Sequence, residues 1–320
     1  MDITIKVPLI KSDDGGFDAI FKIAHFVTSN PINYYNFDFT HCSKISHNGI
    51  VMLGGLARYI ASQSIKGTEL LEKQIPRFGT NFLVGTMSTI VSDSLLGNNF
   101  LSYFHPIGTS YSPYNQGEYI GYREHTNILD ETSLTEHLIN EWLSNDKLSL
   151  SRTLKAEIIS RIIEIFMNAY GHGVSRQPNT KLGVYSCGEY DRKTKKLHIS
   201  VLDFGIGIVG NVMKNCPKIK TEEQAMRWAL TLGNSTNTDS LSPTLARGLG
   251  FELLRKFVKV NKGELRIYSN SVKAYVDHNG LFDISKNVHP FPGTLVSITI
   301  NCDGRKYMFA SEKNNLHSFF

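Results

Sequence analysis

The chain has 320 residues, 34 Lys plus Arg against 29 Asp plus Glu, and a formal charge of +5. Its 41% hydrophobic and 20% charged content excludes disorder on compositional grounds, and its length suggests two domains of ordinary size. The charge is mild and dispersed, and no apolar run reaches the ~18 residues that cross a bilayer, so composition calls for neither a nucleic-acid nor a membrane partner.

The N-terminal stretch MDITIKVPLIKSDDGG has early acids and no cleavable apolar core, and reads as lacking a signal peptide. Cys42, Cys187, Cys216 and Cys302 are far apart and form no CxxC pair. Reduced thiols and a cytoplasmic location are the simplest reading.

In chain order, residues 3–10 read as a strand and 17–27 as a helix, with Phe17, Ile20, Phe21 and Ala24 on one face. A strand at 34–39, a helix at 49–60 and a strand at 81–84 follow. Such alternation predicts an α/β domain over residues 1–115. The looser stretch 104–118, with Pro106, Gly108, Pro113 and Gly117, marks a boundary. A helical linker is expected over 116–149.

Residues 150–170 carry Leu154, Ile158, Ile162, Phe166 and Ala169 at helical spacing. Strands at 182–190 and 197–203 flank the turn DRKTKK, helices follow at 221–230 and 251–260, and strands at 264–269, 272–276 and 294–300 close the domain. Helix, hairpin, helices and then strands predict a mixed sheet covered on one side by helices over 150–305, with a tail at 306–320. The fold class is α/β (α+β).

Four elements carry chemistry. In Glu164-Ile-Phe-Met-Asn168-Ala-Tyr-Gly-His172-Gly173, Glu164, Asn168 and His172 recur every four residues and share one helix stripe. A carboxylate beside a carboxamide can hold a water and a hydrated Mg²⁺, although a solvated helix face has the same pattern. In Val201-Leu-Asp203-Phe-Gly205-Ile-Gly207, a buried strand ends in an acid that can accept a hydrogen bond from an exocyclic amine such as that of adenine. The two glycines there permit a tight turn. In Arg247-Gly248-Leu249-Gly250-Phe251, glycines open a helix whose free N–H groups can meet phosphate oxygens, or simply cap it. No GxxxxGK[ST] loop is present. Gly293-Thr294 opens the last strand.

Taken together, ExxxNAxxHG, DxGxG, RGxGF and GT resemble the N, G1, G2 and G3 boxes of the GHKL ATPase superfamily. EIFMNAYGHG and RGLGFELL are most similar to its anti-sigma-factor serine kinase branch. This resemblance covers about residues 150–302 and implies a Bergerat-type α/β sandwich that binds Mg²⁺ and ATP or ADP. By the same resemblance Glu164 is the catalytic base and Asn168 the Mg²⁺ ligand. Asp203 would bind the adenine amine in a pocket shaped by Gly205 and Gly207, with support from Thr294. Gly248 and Gly250, with Arg247 and Leu249, would hold phosphates, and His172 would complete the polar stripe. The family's nucleotide lid would span residues 209–246, with Ser235, Thr236 and Asn237 near the γ-phosphate.

Residues 36–50 resemble the core of STAS domains, the fold of anti-sigma-factor antagonists. Those carry a phosphorylatable Ser or Thr just before the helix glycine, where this chain has Asn48, with Ser46 nearby. The expected function is an ATP-binding regulatory protein whose nucleotide state controls a protein partner, compatible with a homodimer. Its phosphate would go to water or to a protein Ser/Thr. The alternative is a non-catalytic nucleotide-sensing subunit of a larger complex.

Overall fold

The computed structural model describes residues 2–70, 79–105, 118–126, 130–171, 182–231 and 250–316. Three parallel strands, β1 (Asp2–Lys6), β2 (Tyr34–Asp38) and β3 (Gly79–Phe82), form a small sheet in the order β1-β2-β3. Helices α1 (Asp14–Ser29) and α2 (His47–Leu70) are its crossovers. The strands progress in one direction and such crossovers are right-handed, so both helices lie on the same face of this sheet. The Asp13 carboxylate starts α1 by accepting the Gly16 N–H at 2.9 Å. Phe17, Ile20, Phe21, Ala24 and Val27 then bury one stripe.

Short helices α3 (Thr89–Gly97) and α4 (Phe100–Phe104) lead to β4 (Tyr119–His125). Next come α5 (Glu131–His137), one π-helical turn (Leu138–Trp142) and the short strand β5 (Ser149–Leu150). The stretch expected as a helical linker therefore contains a strand of the main sheet. The remaining elements are α6 (Arg152–Ala169), β6 (Val184–Asp191), β7 (Lys196–Asp203), α7 (Gly207–Asn215), α8 (Glu222–Ala229), α9 (Gly250–Asn261), β8 (Glu264–Val276) and β9 (Phe282–Asn301). The expected C-terminal tail is part of the fold, with β10 (Lys306–Tyr307) pairing with β5 ahead of α10 (Ala310–Leu316).

The class is mixed α/β, as expected from the sequence. The main sheet has the order β4-β6-β7-β9-β8, and every neighbour in it is antiparallel rather than mixed. It is covered on both faces, not one. Leu197, Ile199 and Val201 of β7 join the core formed with α6 to α9. The alternate residues Leu202 and Phe204 join a second core with α1 and α2. The N-terminal helices are thus a layer between two sheets.

Two glycines in α2 bring it close to the main sheet. A Cβ at Gly54 would overlap the Tyr122 ring, and one at Gly55 would lie 2.7 Å from Leu202 Cδ2 and 2.8 Å from Phe204 Cε2. Polar latches reinforce the contact. Glu189 of β6 accepts the His47 N–H at the start of α2 at 3.2 Å and the Ser12 hydroxyl at 3.2 Å. The His47 ring stacks on His198 at 5.1 Å. Arg58 of α2 forks onto both carboxylate oxygens of Glu124, each at 2.9 Å, and Arg266 of β8 reaches Asp14.

Burial opposes ionisation of Glu189, but partnering by His47 outweighs it and holds the carboxyl down to about 2. Its folded value lies below the ordinary 4.5. The latch therefore acts fully above that pH and is lost as pH falls toward 2. Glu189→Gln is expected to cost about 1–2 kcal/mol at neutral pH, with the gap from wild type closing in acid melts. Thermal unfolding measured from pH 7 to pH 2 checks this.

Ser46, His47 and Asn48 are all fully buried. A kinase has no access to the Ser46 hydroxyl in this conformation. Among the described residues no helix is long and apolar enough to cross a membrane.

Candidate functional site

Period-two alternation places Asp203 on the same face as Val201, at the end of β7 and facing α6 and α9. Thr294 of β9 is its cross-strand partner, and Ser269 of β8 is the partner of Thr294. The three make a polar row across the sheet. The Gly205 N–H donates to Asp203 Oδ1 at 2.9 Å as the chain turns into α7. Asp203 is 3% exposed, and no cation pairs with it among the described residues. Burial pushes its carboxyl up to about 7, against the pull of the Gly205 N–H and of hydrogen bonds from Thr294.

The turn requires a glycine at 207. Gly207 has φ +73°, and a Cβ there would overlap Asn270 Oδ1 and come within 2.8 Å of the Gly293 carbonyl oxygen. Thr294 Oγ1 accepts the Ile208 N–H at 3.0 Å and lies 3.4 Å from Ser269 Oγ, and Ser269 Oγ accepts the Val209 N–H at 3.4 Å. These contacts satisfy free N–H groups at the start of α7.

Above the row lies a narrow cleft with a cavity volume of about 20 Å³. Helix α6 contributes Ile165, Asn168 and Ala169, and α9 contributes Phe251. The sheet contributes Val201, Asp203, Thr294 and Val296, and Gly207 and Ile208 complete the lining. Apolar walls thus enclose one carboxyl, one hydroxyl and one carboxamide. A flat ligand with a hydrogen-bond donor at its edge matches this lining in chemistry, but as it stands the cleft holds about one water, so such a ligand enters only if the helices part from the sheet.

Ser151 caps α6 by accepting the Leu154 N–H at 3.2 Å, and Ile158, Ile162 and Phe166 bury its opposite face. Asn168, half-buried, lines the cleft. Glu164 lies one turn earlier, outside the lining, with Oε2 3.4 Å from Arg161 Nη1. Arg161 also holds Glu157 at 3.1 Å, so the expected base belongs to a chain of charges along α6.

The chain matches no protein-family model and no curated protein.

The structure brings Asn168, Asp203, Gly207 and Thr294 together around one cleft, with Gly205 binding the Asp203 carboxylate. Gly250 is the first residue of α9. His172, Ser235, Thr236, Asn237, Arg247, Gly248 and Leu249 lie outside the described residues.

The first half of the expected lid packs into the core of the sheet. Val209 and Val212 of α7, and Ala225 and Met226 of α8, are buried in the sheet core. A capping box of Thr221 and Gln224 starts α8, and its Glu222 accepts the Ser271 N–H at 3.0 Å. Sequence reasoning missed Ser269. The signal was a polar Ser-Asn pair at the end of an apolar strand run, directly opposite Thr294.

Proposed function

We propose that the chain is an ATP-binding regulatory protein of the GHKL type, with a STAS-like N-terminal layer. The observation that carries this reading is the fully enclosed Asp203 carboxyl, uncompensated by any described cation, on the floor of an apolar-walled cleft. A purine's exocyclic amine supplies the donor that this carboxyl needs once ionised, and Ile165, Ala169, Ile208 and Phe251 supply faces for the ring.

Asn168 is the cleft's oxygen donor on the side away from Asp203. One amide oxygen fits Mg²⁺, which prefers hard oxygens and keeps most of its waters. Bound Mg²⁺ would neutralise phosphate charge. Glu164 would orient or deprotonate the attacking group, with Arg161 holding its carboxylate. The phosphate-binding role falls to Arg247, Gly248, Leu249 and Gly250, and Ser235 and Thr236 would meet the γ-phosphate. The resulting signal would go to a protein partner.

Calorimetric titration of the purified chain with Mg-ATP and Mg-ADP tests the reading. A saturable heat supports it, and its absence in well-folded protein removes it. The position of Glu164 outside the cleft lining favours a second reading, a nucleotide sensor without turnover. Phosphate release and transfer to candidate partners decide between the two. If Glu164 is the base, Glu164→Ala binds Mg-ATP within about twofold of wild type and loses at least about a hundredfold in turnover. Undiminished turnover removes that role.

A further inference from the structure

The polar row has a second side. Asp203 and Thr294 line the cleft, Ser269 lies on the same side of the sheet, and their chain neighbours face the opposite way. Leu202 and Phe204 flank Asp203, Leu295 follows Thr294, and Tyr268 precedes Ser269. All four belong to the core built with α1 and α2. The contacts are direct. Phe204 lies 5.1 Å from Tyr59 of α2 and 6.0 Å from Phe291. Tyr268 lies 4.3 Å from Phe21 and 5.4 Å from Phe17 of α1. No slack separates α2 from this surface, because Gly55 leaves no room for even a methyl group against Leu202 and Phe204.

We propose that α1 and α2 are the read-out of the cleft: a ligand held at Asp203 and Thr294 fixes the row, and through Leu202, Phe204, Leu295 and Tyr268 it tightens the N-terminal helices against the sheet. The proposal rests on the nucleotide reading and adds where the signal goes. The physical basis is alternation. A strand residue cannot be immobilised on one face without ordering its neighbours on the other, and a close-packed interior transmits that order rather than absorbing it. By linkage the effect is reciprocal, so loosening α2 weakens ligand binding. The N-terminal layer is then where a regulated partner senses nucleotide.

The test is hydrogen exchange of the full-length chain, with and without Mg-ATP at a concentration shown by calorimetry to saturate. Peptides covering residues 48–63 should exchange at least about threefold more slowly with nucleotide bound. Tyr59→Ala removes the ring that meets Phe204. It should lose that protection and, by the same linkage, bind Mg-ATP about threefold more weakly than wild type. The comparison on the unmodified chain decides the matter should this variant fail to fold. ATP heat with unchanged exchange in 48–63 overturns the coupling and leaves the nucleotide reading standing. No ATP heat overturns both. Full protection retained in Tyr59→Ala overturns the route through Phe204.

Discussion

Asp203→Asn is expected to weaken Mg-ATP binding by roughly a hundredfold and, in the nucleotide-free protein at pH 8, to raise the melting temperature. The two effects share one cause. The carboxyl is 3% exposed and its folded value is raised from 3.8 to about 7. A raised value means stability that is complete below about pH 4 and lost as pH climbs through 7, because the unfolded chain ionises freely and the folded one resists. Three units correspond to up to roughly 4 kcal/mol, and a neutral amide of the same shape recovers part of it. That amide still accepts the Gly205 N–H, but it sets a donor against the ligand's amine. For the wild type, affinity should rise with pH and level off above 7, being roughly tenfold weaker at pH 6 than at pH 8. Calorimetry at the two pH values, with melts of both proteins, checks the pair. Equal affinity in Asp203→Asn would remove Asp203 as the base-recognition group.

Gly293→Ala is the substitution with the largest expected cost to folding, on the order of 3 kcal/mol or more, or roughly a 5–10 °C fall in Tm. Gly293 has φ +125°, a backbone region that side chains avoid. A Cβ there would overlap the Asp203 carbonyl oxygen and lie 3.0 Å from Phe204 Cα. Both neighbours are backbone, so no side chain can swing aside. Relief requires β9 to part from β7 at the residues that place Thr294 beside Asp203, so nucleotide binding should fall with stability. Thermal unfolding and titration of the variant read both, and an unchanged Tm would mean that this strand junction is looser than its geometry.

The expected elements were legible wherever a single face was buried. Helix α6 has apolar residues at helical spacing and a serine cap, and it lies within a few residues of its expected bounds. Strand β7 was legible as a strand but not in its surroundings. His198 and Ser200 alternate with Leu197, Ile199 and Val201, a pattern that reads as one wet face. Both polar residues are buried, His198 against His47 and Ser200 donating to Ser297 Oγ at 3.0 Å. Alternation cannot distinguish water from a polar seam inside the protein, so the second layer of helices over the sheet went unseen. Strand β4 was hidden for another reason. Its sequence YIGYREH is short, glycine-interrupted and charged, and only pairing with β6 gives it an identity. Of the residues around the cleft, Asp203 and Asn168 were legible from a strand end and from helix spacing, and Thr294 only through the resemblance. Ser269 was not, since its place beside Thr294 depends on long-range register.

The shared sheet limits how this chain can be divided. A fragment starting at residue 150 would forfeit β4 and bare the edge of β6, while Leu202, Phe204, Tyr268 and Leu295 met water. An unpaired strand edge beside an oily plane is a template for self-association. The fragment holding the cleft would therefore clump unless the first hundred-odd residues came with it, so the sequence boundary near 115 is not a seam along which the molecule comes apart.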